Sequence, residues 1–284
     1  MTMKINHKEI IKLALLEDGV SADVTSLLVV PAEATARAEI RAKDTGILAG
    51  SAAARMVLET CAEILKINPA SLEFCVTDST TVKPGDVIAR INGNARLLLA
   101  AERTMLNLLQ RLSGIATKTH SFVEIIRDYP ALLLDTRKTT AGLRHFEKAA
   151  FVAGGGTPHR YNLSDMVLIK ENHLIFGKLD AAVVSDAHAR GLRVECEIAS
   201  EDQLDSVLAS GVDVVMLDNF SPARIEAVIA RLGTGRTVKL EASGGVDTDN
   251  LVDYARSGVD YISTSKVYTD VRNLDLTMLL NFGL

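Results

Sequence analysis

Cationic side chains close three short apolar runs, in a chain whose formal net charge is −5. The segments read Asp135-Thr136-Arg137-Lys138-Thr139-Thr140, then Gly154-Gly155-Gly156-Thr157-Pro158-His159-Arg160, then Leu168-Ile169-Lys170-Glu171-Asn172-His173. Guanidinium forks grip carboxylates and phosphates bidentately, and an ammonium adds a point charge. An acidic protein that gathers Arg137, Lys138, His159, Arg160 and Lys170 in this way is expected to bind a small polyanion. Further along, Glu195, Glu197 and Asp218 supply acceptors, which a cation pocket alone does not need. They suit ribose hydroxyls, or a Mg²⁺ ion that shares carboxylates with phosphate oxygens. Ser243-Gly244-Gly245 can turn backbone N–H groups toward a phosphate.

Plainer readings weigh against several of these residues. Any one polar strand end is as well explained by a wet loop, and only the succession of cations, acids and Ser/Gly turns makes that account improbable. Lys170 could form an imine, as in barrel aldolases, but no desolvated pocket is marked around it. His159 and His173 match no zinc spacing, so an anion contact is the better reading. His7, His120, His145 and His188 are expected on helix surfaces, and Arg144 with Lys148 on a solvated one. Glu195 and Glu197 alternate through Cys196 and should face the same side, of which only the one nearer the strand end need reach a ligand. Gly154-Gly155-Gly156 is followed by no Lys-Ser/Thr pair, which argues against a P-loop.

The elements that must position these groups fall into two rhythms. His7 to Glu17 reads as a short amphipathic helix. Ala36, Ala38, Ile40 and Ala42 alternate with charged residues, as in a strand with one wet face. Asp44-Thr45-Gly46 turns the chain, Ser51 to Leu65 is helical, and Lys83-Pro84-Gly85-Asp86 separates two strands. Arg96 to Leu112 is a helix with an apolar stripe of Leu97, Ala101, Met105, Leu108 and Leu112, from which Arg103 points away. After Ser113-Gly114 strands and helices alternate. Strand ends near Asp135, Lys170, Glu197, Asp218, Ala242 and Thr264 lie 21 to 35 residues apart. Helical segments fit between them, among them 143–153, 201–208, 222–231 and 248–256.

Runs such as Val214-Val215-Met216-Leu217 are apolar throughout, as parallel strands covered on both faces should be. Six strands, with a short seventh near His159–Asn162, are too few for a closed eight-stranded barrel. An α/β fold results, with an open, incomplete C-terminal barrel at 113–269 and a doubly wound sheet as its runner-up. A mixed N-terminal domain occupies 1–112, and 270–284 is free to pack back on it. In such barrels the chemistry sits at the carboxyl ends of the strands.

Bulk properties narrow the class. A 284-residue chain that is 48% hydrophobic can fill one large or two modest cores. Its acidic balance argues against nucleic acid as a partner. Three cysteines, Cys61, Cys75 and Cys196, in no metal-ligand spacing fit a reducing compartment. No run reaches the length of a membrane span and no signal peptide is apparent, so a cytoplasmic enzyme with no membrane contact is expected.

The motifs together resemble the quinolinate phosphoribosyltransferase family, the carboxylating nicotinate-nucleotide pyrophosphorylases, over nearly the whole chain. Besides the three segments above, Glu17-Asp18, Asp23-Val24-Thr25-Ser26, Glu102-Arg103-Thr104, Leu109 through Thr117, Met216-Leu217-Asp218-Asn219-Phe220 and Ser243-Gly244-Gly245 carry the resemblance. It implies a homodimer, with a higher oligomer left open, whose subunits pair an N-terminal α/β sandwich with the open barrel. It implies transfer of phosphoribose from phosphoribosyl pyrophosphate to quinolinate in de novo NAD biosynthesis, giving nicotinate mononucleotide, pyrophosphate and CO₂. Arg137, His159, Arg160 and Lys170 would hold the quinolinate carboxylates, with Arg103 supplied by the neighbouring subunit. Lys138, Glu197 and Asp218 would be catalytic and hold phosphoribosyl pyrophosphate, the two acids also holding Mg²⁺, directly or through water. Ser243, Gly244, Gly245, Thr264 and Ser265 would receive the 5′-phosphate. Ala141 and Pro158 depart from the family pattern, as does Ser265, which stands where a glycine is usual. The last departure resembles a relative associated with molybdenum transport that acts on another acceptor. That relative and an aldolase built on Lys170 are the alternative readings.

Overall fold

The computed structural model describes residues 6–233 and 235–281, and its chain divides into two compact units. The first comprises residues up to His120, Thr140–Gly155 and the segment from Asp270; the second comprises Ser121–Thr139 and Gly156–Thr269. Among the described residues no helix is long and apolar enough to cross a membrane.

Unit 1 opens with α1 (His7–Glu17), α2 (Val24–Val29) and β1 (Thr35–Ala42). The Asn6 side chain caps α1, and Ile11 and Leu15, one turn apart, are buried. The Asp23 carboxylate accepts the Thr25 and Ser26 N–H groups and starts α2. Next come β2 (Gly46–Ile47), α3 (Ser51–Leu65), β3 (Ser71–Phe74), β4 (Thr81–Val82), β5 (Val87–Asn94) and α4 (Ala95–Ile126). After β6 (Leu132–Leu134), which lies in unit 2, α5 (Arg144–Ala153) returns to unit 1. In β1, Ala36, Ala38, Ile40 and Ala42 are the buried set, as their alternation requires.

The helix read over 96–112 does not stop at Ser113-Gly114 but runs 32 residues to Ile126. Both breaker-like residues serve packing. Ser113 Oγ accepts the Ala49 N–H at 3.0 Å, and a Cβ on Gly114 would stand 2.4 Å from the Arg272 carbonyl. A glycine costs about 1 kcal/mol inside a helix, but here only a glycine admits the neighbouring backbone. Lys148 also differs from expectation: it is buried on α5 rather than solvated. Beside it, the fully buried Glu147 pairs with Arg111 at 3.1 Å and accepts the Thr140 N–H and hydroxyl. Glu147 on this helix therefore serves unit 1 internally.

Unit 2 is a parallel α/β structure. After β6 come β7 (Val167–Ile169), α6 (Glu171–Leu174), α7 (Ala181–Ala189), β8 (Val194–Ile198), α8 (Leu204–Ala209), β9 (Val214–Asp218), α9 (Pro222–Leu232), β10 (Lys239–Ser243), α10 (Leu251–Arg256), β11 (Tyr261–Ser263) and α11 (Lys266–Thr269). The last strand, β12 (Leu276–Asn281), belongs to unit 1, where the antiparallel order is β12-β1-β5-β3. Residues 282–284 and 1–5 lie outside the described residues.

The six parallel strands follow the order β6-β11-β10-β9-β8-β7, leaving β6 and β7 as two edges of an open sheet among the described residues. Every residue of β8 is buried, as an interior strand covered on both faces should be. No strand forms at His159–Asn162. Thr157 makes one bridge to Leu134, Pro158 offers no N–H, and the His159 N–H goes to the Asp135 carboxylate at 2.9 Å.

Candidate active site

The six parallel strands deliver their last residues to one rim in sheet order. Arg137 and Lys138 follow β6, Thr264 follows β11, Ser243 ends β10, Asp218 ends β9, Glu197 lies near the end of β8, and Lys170 follows β7. Parallel strands point the same way, so adjacency in the sheet becomes adjacency of these side chains. The Lys170 ammonium donates directly to a Glu197 carboxylate oxygen. Glu197 is 9% exposed, whereas Lys170 remains 42% exposed.

Arg137 and Arg160 act on each other electrostatically. Burial, and then the charge of Arg137, lower the Arg160 pKa, while Glu195 acts in the opposite sense. Two cations held close enough to oppose each other form a receptor for an anion. Lys138 is exposed at the same loop, its N–H held by the Thr136 hydroxyl at 3.1 Å. Arg103 is not among the strand-end residues; it belongs to unit 1, on the exposed face of α4.

On the acceptor side, Asp218 Oδ2 takes a hydrogen bond from Asn219 Nδ2 at 2.8 Å. Asn219 adopts a left-handed backbone (φ 56°) and gives its N–H to the Ser243 carbonyl at 2.8 Å. Gly244, at φ 94°, packs so tightly there that an added Cβ would stand 2.3 Å from the Asn219 side-chain oxygen. The turn Ser243-Gly244-Gly245 is thus tied to Asp218 through Asn219. Thr264 is buried, its hydroxyl donating to the Val246 carbonyl at 2.8 Å and accepting the Lys266 N–H at 3.2 Å. Ser265 is half-buried and its carbonyl starts α11 by accepting the Thr269 N–H at 3.0 Å. His173 serves as a cap: its Nδ1 accepts the Lys170 N–H at 2.9 Å.

A second layer lies beneath the rim. His159 Nε2 is 2.8 Å from Glu195 Oε2 and 3.6 Å from Glu241 Oε2, and both carboxyls are almost wholly buried. Burial pushes both above the ordinary carboxyl range, Glu241 to about 8 with the negative charge of Glu195 as its second cause. Asp135, also buried, holds the His159 N–H through one oxygen and accepts the Tyr268 hydroxyl through the other at 2.8 Å. The roles of Glu195 beneath Glu197, and of Glu241, Asp135 and Tyr268, were not legible from motif spacing. One signal existed: Glu241 is an acid inside the otherwise apolar interior of β10.

An open parallel α/β sheet carrying a cation pocket, paired acids and a glycine turn along one rim defines a small-molecule enzyme of the phosphate-handling kind. The chain belongs to the quinolinate phosphoribosyl transferase family: the family's N-terminal domain model matches residues 23–113 and its C-terminal domain model matches 115–279. It is similar to the probable nicotinate-nucleotide pyrophosphorylase [carboxylating] of Bacillus subtilis, with 39% identity over 96% of this chain and 94% of that protein. The corresponding Mycobacterium leprae protein is 36% identical over 95% of each chain. Among solved structures, the nicotinate-nucleotide pyrophosphorylase of Francisella tularensis matches with a TM-score of 0.86 at 33% identity, covering 98% of both chains.

Proposed function

We propose that this protein is a carboxylating nicotinate-nucleotide pyrophosphorylase, transferring phosphoribose to quinolinate with loss of CO₂ in NAD biosynthesis. The observation that carries this reading is the succession of Arg137, Asp218, Glu197 and Lys170 at the ends of parallel strands of one sheet, with Lys170 on Glu197 and Arg160 within the field of Arg137. Quinolinate offers two adjacent carboxylates, which two guanidiniums and an ammonium complement. His159 completes that pocket, and Arg103 enters it from a second copy of the chain. Displacing pyrophosphate builds positive charge on the ribose, which Glu197 and Asp218 stabilise, while Lys138 meets the leaving anion. Ser243, Gly244 and Gly245 receive the 5′-phosphate. The Thr264 hydroxyl and N–H both go to main-chain carbonyls, so Ser265 is the better placed of the two to meet the phosphate.

Mg²⁺ fits the donor set, since Glu197 and Asp218 present carboxylate oxygens at the ends of neighbouring strands. When bound, the ion neutralises the departing pyrophosphate. Lys170, held as an ion pair with Glu197, is suited to a carboxylate contact rather than to imine chemistry, which needs a neutral amine.

Purified protein given quinolinate, phosphoribosyl pyrophosphate and Mg²⁺ should release CO₂ and form nicotinate mononucleotide. Turnover of another acceptor with none of quinolinate would overturn the reading. Arg103→Ala and Lys170→Ala should each be inactive, and mixing the two should restore some sites. Mixed dimers without any recovery would remove Arg103 from a shared site.

A further inference from the structure

Two carboxyls on the floor of unit 2 have no part in the reading above. Glu195 belongs to β8 and Glu241 to β10, the strands on either side of β9. Their side chains are 0% and 1% exposed. Among the described residues, Glu195 Oε1 and both oxygens of Glu241 make no hydrogen bond. Glu195 Oε2 meets His159 Nε2 at 2.8 Å, and the same nitrogen stands 3.6 Å from Glu241 Oε2. Buried acceptors without a donor are costly, and two carboxylates side by side also repel. A small cation seated among them answers both needs at once.

The spacing suits such an ion. One nitrogen of His159 and one oxygen from each carboxyl all lie within 4.8 Å of one another. Ligands of a tetrahedral ion with bonds of about 2.0–2.2 Å sit about 3.3–3.5 Å apart. The two distances from Nε2 straddle that value, and the shorter needs to open by about half an ångström. The second oxygen of Glu241 can supply a fourth ligand. Charge balances as well: a divalent ion, two carboxylates and a neutral imidazole sum to zero, the state a dry interior tolerates best. Donor chemistry selects the ion, since an imidazole nitrogen favours the zinc class, whereas Mg²⁺ keeps several waters that a site this deeply buried disfavours.

We propose that His159, Glu195 and Glu241 form a structural site for a divalent cation of the zinc class, which ties β8 and β10 to the loop that carries Arg160. In the metal-free chain a proton on the carboxyl pair takes the place of the ion, and binding releases it. The site stands apart from the quinolinate reading: none of these observations comes from the rim, and its test reads metal binding rather than turnover.

Full-length protein, stripped with a chelator and held in excess Mg²⁺, is titrated with Zn²⁺ by calorimetry and by melting temperature. One equivalent should bind, and at about 100 times Kd it should raise the melting temperature by at least about 5 °C. Glu241→Gln, which keeps the size of the side chain, should weaken binding by at least about 100-fold, beyond the loss typical of groups that only support a ligand. His159→Gln is the second ligand variant should the first not fold. Asp218→Asn, which alters the rim acids, should bind Zn²⁺ as tightly as the unaltered protein. Absence of binding by the unaltered protein, undiminished binding by a folded ligand variant, or loss of binding in Asp218→Asn would each overturn the proposal.

Discussion

Glu197 and Glu195 lie two residues apart on one strand and meet opposite fates. Glu197, close to the strand end, is paired with a lysine that solvent still reaches. Glu195 is wholly buried, is held against His159 Nε2, and has its pKa raised by burial. The same side chain on the same face thus serves as a rim acceptor at one level and as a support for a histidine one level down. What differs is access to water: Glu197 meets a cation that solvent reaches, whereas deeper a carboxyl needs a hydrogen-bonded partner or a proton. Rim residues are therefore expected to govern binding and turnover, and floor residues to govern stability and protonation.

The rim carries the largest predicted effect. Arg160→Ala should lower kcat/KM for quinolinate by roughly 1,000-fold, because a buried charge pair across a binding site is worth several kcal/mol. Its melting temperature should stay close to that of the unaltered protein; a large fall would merge rim and floor into one structural network. Gly244→Ala should destabilise by about 2 kcal/mol in denaturant titration, the range of a forced left-handed backbone, with the Asn219 contact as the specific cause. Unchanged stability would mean that the turn is freer than its close packing implies.

Smallest, and confined to the floor, is the response of Glu241→Gln. Folding keeps a proton on Glu241 to about pH 8, while an unfolded chain releases it at the ordinary value of 4.5. The folded state binds more protons in that window, so stability falls as pH rises from about 4.5 to about 8. Glutamine has no such proton to lose. The variant should melt at a higher temperature than the unaltered protein at pH 9, by at least about 1 kcal/mol of stability, since one pKa unit corresponds to about 1.4 kcal/mol, and the two should converge near pH 5. Parallel pH curves would deny the buried proton.

Much of this arrangement was legible before any coordinates. Period-two burial in β1 and the six parallel strands ending beside polar residues follow from local pattern, because side-chain alternation and continuous apolar runs report directly which faces are covered. The parts that escaped are those set by distant neighbours. Ser113-Gly114 looked like a helix end because composition cannot reveal that Arg272 passes against Gly114. The stretch after Pro158 looked like a strand, yet Asp135 takes the His159 N–H that a ladder would have used. The surface placement expected of His7 and His145 holds only in part, since their rings stack 3.8 Å apart and one His7 nitrogen is buried. Glu241 went unnoticed because it belongs to no motif; only the fold carries it to His159, 82 residues earlier in the chain.

The rim is proposed as a receptor for two carboxylates, and the most direct check is the affinity of the protein for quinolinate against nicotinate, which lacks one of them, by calorimetry without phosphoribosyl pyrophosphate. Leaving one desolvated cation unpaired costs about 2–5 kcal/mol, so quinolinate should bind at least about 30-fold more tightly. Equal affinities would contradict a pocket in which Arg137, Arg160 and Lys170 converge on a diacid.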